Sequence, residues 1–187
     1  KIIKPRFGRG QQDVYKINNQ QELAFFREYV PKPLLQDYLQ GQEYTIDLLA
    51  DFEGLPRYSQ VLCLVPRKRL RVESGVSITG ITAYKKEIIA LCLEIVGKLG
   101  ITGPANIQCF IDGDKIFFTE INLRLGGGVA LSVAAGSNIL VNLVKLLKGE
   151  KVNESLDFKE DLLMVRYWTE EFIENDEWKN YFIKIQD

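Results

Sequence analysis

The amino-acid sequence predicts an α+β fold, in which antiparallel strands form sheets and helices pack on them. Short alternating strands recur in pairs joined by tight turns, and helical hydrophobic spacing is confined to separate segments. Strand–helix–strand units do not repeat along the chain, which favours the α+β class. With 187 residues, of which 46% are hydrophobic, the chain can bury the core of one domain or of two small lobes.

The first forty residues predict a small unit of strands with one helix. Apolar runs bounded by glycine, proline and polar residues predict extended segments at residues 1–4, 14–17 and 34–39. Asn19 and Glu22 have the spacing of a capping box at a helix start, and Pro31 ends that helix. Because the sequence opens directly on a strand without an initiator methionine, we expect it to be part of a longer chain.

The residues that follow predict a larger sheet with three helices. Strands are predicted at residues 43–50, 57–65, 106–111, 115–122 and 162–168. Helices are predicted at residues 82–99, 126–135 and 139–148, where hydrophobic or small residues recur at helical spacing. Gly100 and Gly149 follow two of these helices and suit the left-handed residue that ends a helix.

Composition and charge exclude several kinds of function. The net charge of −1 gives no reason to expect nucleic acid or an anionic membrane as a partner, and the absence of histidine excludes a histidine base or histidine-ligated metal within this chain. Cys63, Cys92 and Cys109 are widely spaced among apolar residues, which predicts neither disulfides nor a zinc site and makes the cytoplasm the default compartment. The basic run at residues 67–71 can bind phosphate or an acid, although a solvated face is commoner.

Glu120, Asn122 and Arg124 occupy alternate positions at the end of a predicted strand, and Gln108 lies in the strand before it. Alternate residues of a strand share a face, so the oxygens of Glu120 and Asn122 can meet at one metal ion. Mg²⁺ prefers oxygen ligands and keeps water or substrate phosphates among them, so one carboxylate and an amide are enough. Arg124 can then bind a phosphate oxygen or a carboxylate. The pattern by itself fits the polar end of an exposed strand equally well.

The turn between these two strands decides whether Gln108 and Glu120 share a face. A regular two-residue turn at Gly113-Asp114 would pair Gln108 with Thr119 and place Glu120 on the opposite face. A three-residue turn or a β-bulge restores Gln108 and Glu120 to one side. We therefore expect an odd-length turn or a bulge in this hairpin.

Four segments together form a recognisable pattern. They are residues 3–10 (IKPRFGRG), residues 36–39 (QDYL) followed by Gly41 and Glu43, residues 103–108 (GPANIQ) and residues 120–124 (EINLR). With these motifs in this order, residues 2–144 resemble the C-terminal two thirds of an ATP-grasp domain of the carbamoyl-phosphate-synthase-like branch. The resemblance implies an ATP-grasp fold of two lobes that close on ATP, truncated at its N-terminal side.

The resemblance implies a nucleotide site in residues 1–40, the smaller lobe, and a metal site in residues 41–187, the larger lobe. Lys4 would contact the phosphates of ATP, beneath a loop that contains Gly8 and Gly10. Glu43 would hold the ribose hydroxyls. The adenine hinge would consist of Gln36, Asp37, Tyr38 and Leu39, in which the Asp37 carbonyl and the Leu39 N–H read the base.

The resemblance also implies that Gln108, Glu120 and Asn122 bind two Mg²⁺ ions, for which Mn²⁺ can substitute. ATP would phosphorylate a small carboxylate, and an amine, ammonia or a thiol would then displace phosphate from the acyl phosphate. Arg124 and Lys4 would stabilise the charge of this transfer, which needs cations rather than a histidine. The glycines 126–128 would let the backbone approach the acid substrate, or would simply permit a tight turn.

Two other functions are compatible with these residues. A non-catalytic nucleotide-binding module is one, because Gln36 and Leu123 depart from the family pattern, and the ATP-binding half of a true carbamoyl-phosphate synthase is the other. The implied partners are ATP, a carboxylate, an amine, the missing N-terminal lobe of the same chain and a second copy in a homodimer. We expect Ile2 and Ile3 to form an unpaired sheet edge unless another segment covers it. We also expect the chain alone to bind Mg-ATP weakly, if at all, and to show no ligase turnover.

Overall fold

The computed structural model describes residues 1–8, 12–52, 60–73 and 75–174. Within these residues the strands form two antiparallel sheets, one of three strands and one of six. The smaller sheet is built from residues 2–36 and the larger sheet from residues 42–165. The proposed lobe boundary after residue 40 falls between the two sheets.

The strands in chain order are β1 (Ile2–Pro5), β2 (Tyr15–Lys16), β3 (Pro33–Gln36), β4 (Gln42–Ala50), β5 (Val61–Glu73), β6 (Val76–Thr82), β7 (Gly103–Asp112), β8 (Lys115–Asn122) and β9 (Leu163–Val165). The helices are α1 (Gln20–Tyr29), α2 (Lys86–Leu99), α3 (Val129–Ala134) and α4 (Ile139–Leu147). The strand order is β2-β1-β3 in the smaller sheet and β8-β7-β4-β5-β6-β9 in the larger sheet. The α+β class is therefore confirmed.

The smaller sheet has β1 at its centre. This strand pairs with β2 on one side and with β3 on the other, so the expected unpaired edge at Ile2 and Ile3 is wrong. Ile3 is fully buried and packs with Val30 against α1. The predicted helix start is confirmed, because the Asn19 side chain accepts a hydrogen bond from the Glu22 N–H at 2.8 Å.

The larger sheet is covered on one face by α2. Ile46 of β4 and Ile107 of β7 point to this face and are fully buried. Ile88, Cys92 and Val96 of α2 pack against them. Because the burial of each such aliphatic side chain stabilises a fold by roughly 1.5–3 kcal/mol, this layer is the principal core.

The opposite face of the larger sheet is covered only in part. Leu49 and Cys63 pack there beneath Ile139 of α4. The remainder of this face carries polar side chains, which form the candidate site described below. Among the described residues, no helix is long and apolar enough to cross a membrane.

The basic run is part of a strand, and two of its arginines are buried, which corrects the expectation of a solvated face for Arg67 and Arg69 but not for the exposed Arg71. Residues 57–59 of the strand predicted at residues 57–65 lie outside the described residues. Within the described residues, β5 begins at Val61 and continues through the basic run to Glu73. Arg67 and Arg69 are 1% and 7% exposed. Strand β6, which pairs with this extension, was not predicted, because its alternation is broken by Gly80.

Several predicted bounds shift by a few residues. Helix α2 begins at Lys86 rather than at Thr82, which belongs to β6, and Gly100 ends it with a φ of 62° as expected. Helix α3 begins after the three glycines, at Val129. The last strand is confined to Leu163–Val165.

We expect Cys92 and Cys109 to resist a thiol reagent at pH 8 in the native protein. Burial raises the pKa of both free thiols from 9.0 to about 12, which leaves little reactive thiolate. Since these pKa values exceed those of the unfolded thiols, both groups stabilise the fold below pH 9, and this contribution is lost as the pH rises toward 12. Labelling before and after denaturation measures this, and fast labelling of native Cys92 and Cys109 would contradict it.

Candidate functional site

A row of polar side chains crosses one face of the larger sheet. In the strand register, Thr45 of β4 lies opposite Arg67 of β5 and opposite Gln108 of β7, while Gln108 lies opposite Glu120 of β8. Directly paired residues of antiparallel strands project from the same face. These side chains therefore form one continuous surface on the face that α2 does not cover.

A β-bulge places Gln108 opposite Glu120. The hairpin has the two-residue turn Gly113-Asp114, with Asp112 paired to Lys115, and in a regular ladder this turn would pair Gln108 with Thr119. The register instead shifts between Gln108 and the next residue, so that Gln108 pairs with Glu120. The expected bulge is confirmed, and it restores both side chains to one face.

The Glu120 carboxylate is bonded to two amides. Its Oε1 atom accepts hydrogen bonds from Gln108 Nε2 at 2.7 Å and from Asn122 Nδ2 at 2.9 Å. Within the described residues, no group of three or more His, Cys, Asp or Glu is placed to hold a metal ion. One carboxylate and two amides nevertheless fit Mg²⁺, provided that the amides turn their oxygens toward it and that substrate phosphates complete its ligands.

Arg69 connects two of the predicted site residues. Its buried guanidinium forms an ion pair with Glu43, and Nη1 also donates to Gln108 Oε1 at 3.4 Å. Further hydrogen bonds, from Nε to Ser77 Oγ at 3.1 Å and from Nη2 to the Gly75 carbonyl at 2.7 Å, hold the arginine in place. Since arginine is only a donor, it favours the orientation in which the Gln108 oxygen faces Arg69 and the nitrogen faces Glu120.

Negative charge accumulates near this arginine. Burial raises the pKa of Glu43 above its usual value, the Arg69 ion pair opposes this rise, and repulsion from Glu120 adds to it. Glu120 itself is exposed and has no ion-pair partner in the described part of the chain. A cation bound at Glu120 would relieve this repulsion.

Arg67 forms a second, fully buried ion pair with Asp47. Its Nε donates to Asp47 Oδ2 at 2.7 Å and its Nη2 donates to Oδ1 at 3.0 Å, and both side chains are at most 2% exposed. Asp47 also accepts from Asn106 Nδ2 at 2.8 Å and from Ser132 Oγ at 2.6 Å. Sequence reasoning missed this network, because its members lie 20 to 85 residues apart along the chain.

Two of the three glycines between β8 and α3, Gly126 and Gly128, lie directly against this network. A Cβ on Gly126 would lie 2.5 Å from Asn106 Nδ2, and one on Gly128 would overlap the Arg67 guanidinium. Neither glycine has a positive φ, so they are required by close approach rather than by backbone conformation. Arg124 lies in the same loop, and its exposed guanidinium donates to the Leu125 carbonyl at 3.0 Å.

The predicted phosphate-binding residues lie in and after β1. Lys4 pairs with Leu34 of β3, is half-buried and alternates with Ile3, so it projects from the face of the smaller sheet that α1 does not cover. Gly8 lies in the loop that follows β1, close to Pro5. Gly10 lies outside the described residues.

The predicted adenine hinge follows β3. Gln36 ends this strand opposite Ile2, and the next residue, Asp37, forms an ion pair with Lys1. The hydrogen bond from Lys1 holds the pKa of Asp37 below its usual value. The ammonium of Lys16 lies 4.2 Å from the centroid of the Tyr38 ring.

Gly41 fixes the end of this hinge on the larger sheet. Any side chain at this position would overlap the backbone carbonyl of Ile111 in β7. Leu39, two residues earlier, lies in irregular backbone, and within the described residues its N–H forms no hydrogen bond. A ligand can therefore bond to this N–H without breaking secondary structure.

Comparison with known proteins identifies the family. The family model described as "ATP-grasp in the biosynthetic pathway with Ter operon" matches residues 29–171. The chain belongs to this ATP-grasp family. ATP-grasp enzymes generally use ATP and Mg²⁺, and ATP-grasp ligases bind a carboxylate and an amine.

The ATP-grasp chain also resembles curated enzymes over a limited part of their length. It is 27% identical over 171 residues to the carbamoyl phosphate synthase large chain of Clostridium perfringens, a match that covers 82% of this chain and 15% of that protein. The arginine-specific large chain of Bacillus subtilis is 27% identical over 166 residues, with 82% and 16% coverage. The chain thus spans about a sixth of these relatives.

Solved structures confirm the ATP-grasp fold. The N5-carboxyaminoimidazole synthetase of Staphylococcus aureus, solved in complex with ADP, matches 99% of this chain with a TM-score of 0.71 and 17% identity. The N5-carboxyaminoimidazole ribonucleotide synthetase of Thermus thermophilus matches 83% with a TM-score of 0.64 and 15% identity. The chain covers 50% and 43% of these two proteins, so it spans about half of the solved fold.

We expect Gly128→Ala to lower the free energy of unfolding by about 2 kcal/mol or more, because the new methyl would overlap Arg67, which is held by its ion pair. Gly127→Ala is the matched control, since its methyl would meet Val76 Cγ1 at an ordinary distance of 3.8 Å. We expect this control to change the free energy by within roughly 0.5 kcal/mol. Urea denaturation measures both variants, and equal effects would contradict the close approach of Gly128 to Arg67.

Proposed function

We propose that this chain is the ATP-binding part of an ATP- and Mg²⁺-dependent ligase that joins a carboxylate to an amine through an acyl phosphate. The observation that carries the proposal is the bulged hairpin, which brings Gln108, Glu120 and Asn122 together on one face of an ATP-grasp sheet. Family membership supports the reaction class. The activity of the whole protein is part of the proposal, because the chain spans only part of its relatives.

The nucleotide would bind between the two sheets. In this proposal the Asp37 carbonyl accepts from adenine N6 and the Leu39 N–H donates to N1, while the Gln36 amide oxygen accepts from N6 as well. Tyr38 contributes backbone only. One Glu43 oxygen is bonded to Arg69, and the other would accept from the ribose hydroxyls.

The phosphates would lie between β1 and the metal ligands. Lys4 would contribute a mobile point charge, and the backbone N–H groups of the loop with Gly8 and Gly10 would cover the phosphates. Glu120, Asn122 and, after its amide turns, Gln108 would hold Mg²⁺, with Mn²⁺ as a substitute. We propose two ions, and their role would be to neutralise the β and γ phosphates.

The chemistry then proceeds in two displacements. A substrate carboxylate oxygen attacks the γ-phosphorus, the bond to the β–γ bridging oxygen breaks, and ADP leaves. The amine nitrogen attacks the carbonyl carbon of the acyl phosphate, the C–O bond to phosphate breaks, and the nitrogen loses a proton. Arg124 would donate to the oxygens of the acyl phosphate, and Lys4 would stabilise the charge on the transferred phosphoryl group. Neither step requires a histidine, which this chain lacks.

Nucleotide turnover by the full-length protein tests the proposal. We expect ADP release from ATP and Mg²⁺ only when both a carboxylate and an amine from an amino-acid panel are present, because the acyl phosphate forms on one substrate and is resolved by the other. The 187-residue chain should show no turnover by itself. Binding of Mg-ATP without ADP release under any combination would instead indicate a non-catalytic nucleotide-binding module.

A carbamoyl phosphate synthase is the second candidate. The match to the large chains of such enzymes in two bacteria favours it, although it covers only 15–16% of those proteins. Formation of carbamoyl phosphate in the same assay would establish this alternative. We propose the ligase because the description of the matching family model is an ATP-grasp in the biosynthetic pathway with the Ter operon and does not mention carbamoyl phosphate.

The cellular context and assembly also belong to the proposal. Cys63, Cys92 and Cys109 are free and buried, which suits the reducing cytoplasm. A homodimer is compatible with this assignment, and size measurement on the full-length protein decides it. Neither point affects the assignment of the ATP site.

We expect Glu120→Gln in the full-length protein to abolish most Mg²⁺-dependent ADP release, by about 100-fold or more, because it removes the only carboxylate of the ligand set. The fold should be unaffected, and the melting temperature without ligand should stay the same or rise slightly, since repulsion with Glu43 is relieved. Glu150→Gln, an exposed position beyond α4, is the control. Unchanged ADP release by Glu120→Gln would place the metal site elsewhere.

A further inference from the structure

We infer that Asp47 and Arg67 are positioning residues for the ligase reaction. They would hold the loop of residues 123–128, which carries Arg124, at a fixed height above the sheet. The inference rests on the proposed function, because it assigns Arg124 to the acyl phosphate. Neither Asp47 nor Arg67 would contact a substrate, since both side chains are at most 2% exposed.

Asp47 is the centre of a network that joins four elements. Its carboxylate accepts two hydrogen bonds from Arg67 of β5, one from Asn106 of β7 and one from Ser132 of α3, all at 3.0 Å or less. A carboxylate has about four acceptor positions, so these four donors use its capacity. Asp47 therefore fixes the relative position of β4, β5, β7 and α3.

This network touches both ends of the loop. At its start, Asn106 pairs in register with Asn122, the proposed metal ligand that precedes the loop. At its end, Ser132 lies one turn into α3. Between these points, Gly126 and Gly128 lie directly on Asn106 and Arg67. Without side chains of their own, the two glycines depend on the surface of the network for their position.

Stability alone does not account for the ion pair. Removing one partner from a buried pair leaves an uncompensated charge and destabilises a protein strongly, whereas replacing both partners by neutral groups of similar size is often neutral or stabilising. What a neutral pair cannot supply is the two-bond geometry that holds the planar Arg67 guanidinium in one orientation beneath Gly128. Replacing both Asp47 and Arg67 by neutral residues therefore separates the effect of the ion pair on the position of the loop from its effect on the stability of the protein.

The test uses Asp47→Asn combined with Arg67→Met in the full-length protein. Asparagine keeps an acceptor for Asn106 and a partner for Ser132, and methionine fills much of the arginine volume. We expect each single variant to lower the melting temperature by roughly 10 °C and the double variant by only a few degrees. Neutralising the exposed Glu94–Lys98 pair of α2 is the matched control and should change nothing.

Two measurements test the inference: hydrogen exchange reports the position of the loop, and enzyme kinetics report the reaction. The N–H groups of Val129 and Leu131 are bonded to the carbonyls of Gly126 and Gly128, so their hydrogen exchange reports loop position. In the double variant we expect this exchange to accelerate about tenfold, with α2 unchanged. We also expect kcat to fall about tenfold or more while the Mg-ADP dissociation constant stays within about threefold, because the hinge and Glu120 are untouched.

Arg67→Lys keeps the inference testable if the double variant fails to fold. Lysine preserves the charge but not the two-bond geometry, so we expect a near-normal melting temperature with the same accelerated exchange and reduced kcat. Unchanged exchange at Val129 and Leu131, or faster exchange with normal kcat, would overturn the inference. Absence of ADP release by the wild-type protein would instead refute the proposed function, and loop exchange alone would then decide whether Asp47 and Arg67 hold the loop.

Discussion

Strand alternation in β4, β5 and β7 assigns every second side chain to the apolar layer under α2 and the side chains between them to the polar face. A slip of one residue between β7 and β8 would move Glu120 to the opposite face, away from the site, and would bring Ile121 to the polar face in its place. With the two-residue turn at Gly113-Asp114, a regular ladder would place Glu120 on the face opposite Gln108. The bulge next to Gln108 shifts the register and keeps both side chains on the polar face. Core packing and site assembly thus depend on the same register.

The carboxylates of the polar face are not neutralised equally, and this difference supports the proposed cation site at Glu120. Asp47 is neutralised by Arg67 and Glu43 is paired with Arg69, whereas in the described part of the chain Glu120 has only the amides of Gln108 and Asn122 as partners. Amide dipoles satisfy hydrogen-bonding capacity but do not neutralise a charge. Glu120 is therefore the carboxylate on this face that remains available to a metal ion.

Local signals in the sequence predicted local structure well, while long-range pairing was missed. The Asn19 cap and the Gly100 helix end each follow from residues close together in the sequence, and both are present. The bulge beside Gln108, which is also present, was expected for a different reason, because Gln108 and Glu120 can share a metal ion only from one face. The burial of Arg67 could not be predicted, because its charge is tolerated only by a carboxylate contributed from another strand. The central position of β1 was missed for the same reason, since its partner β3 is contributed by residues some thirty positions later.

The small number of metal ligands has a thermodynamic consequence. Mg²⁺ takes six ligands, and the described hairpin supplies at most one carboxylate and two amides, so water or phosphate oxygens must complete the shell. In the proposed site the amide of Gln108 would also leave the orientation favoured by Arg69, which would lower the affinity for the ion alone. Nucleotide phosphates would supply the missing oxygen ligands, and their negative charge would offset the cost of turning the Gln108 amide. In the proposed site, metal and nucleotide affinity would therefore be linked through Glu120, and by reciprocity each would increase the affinity for the other.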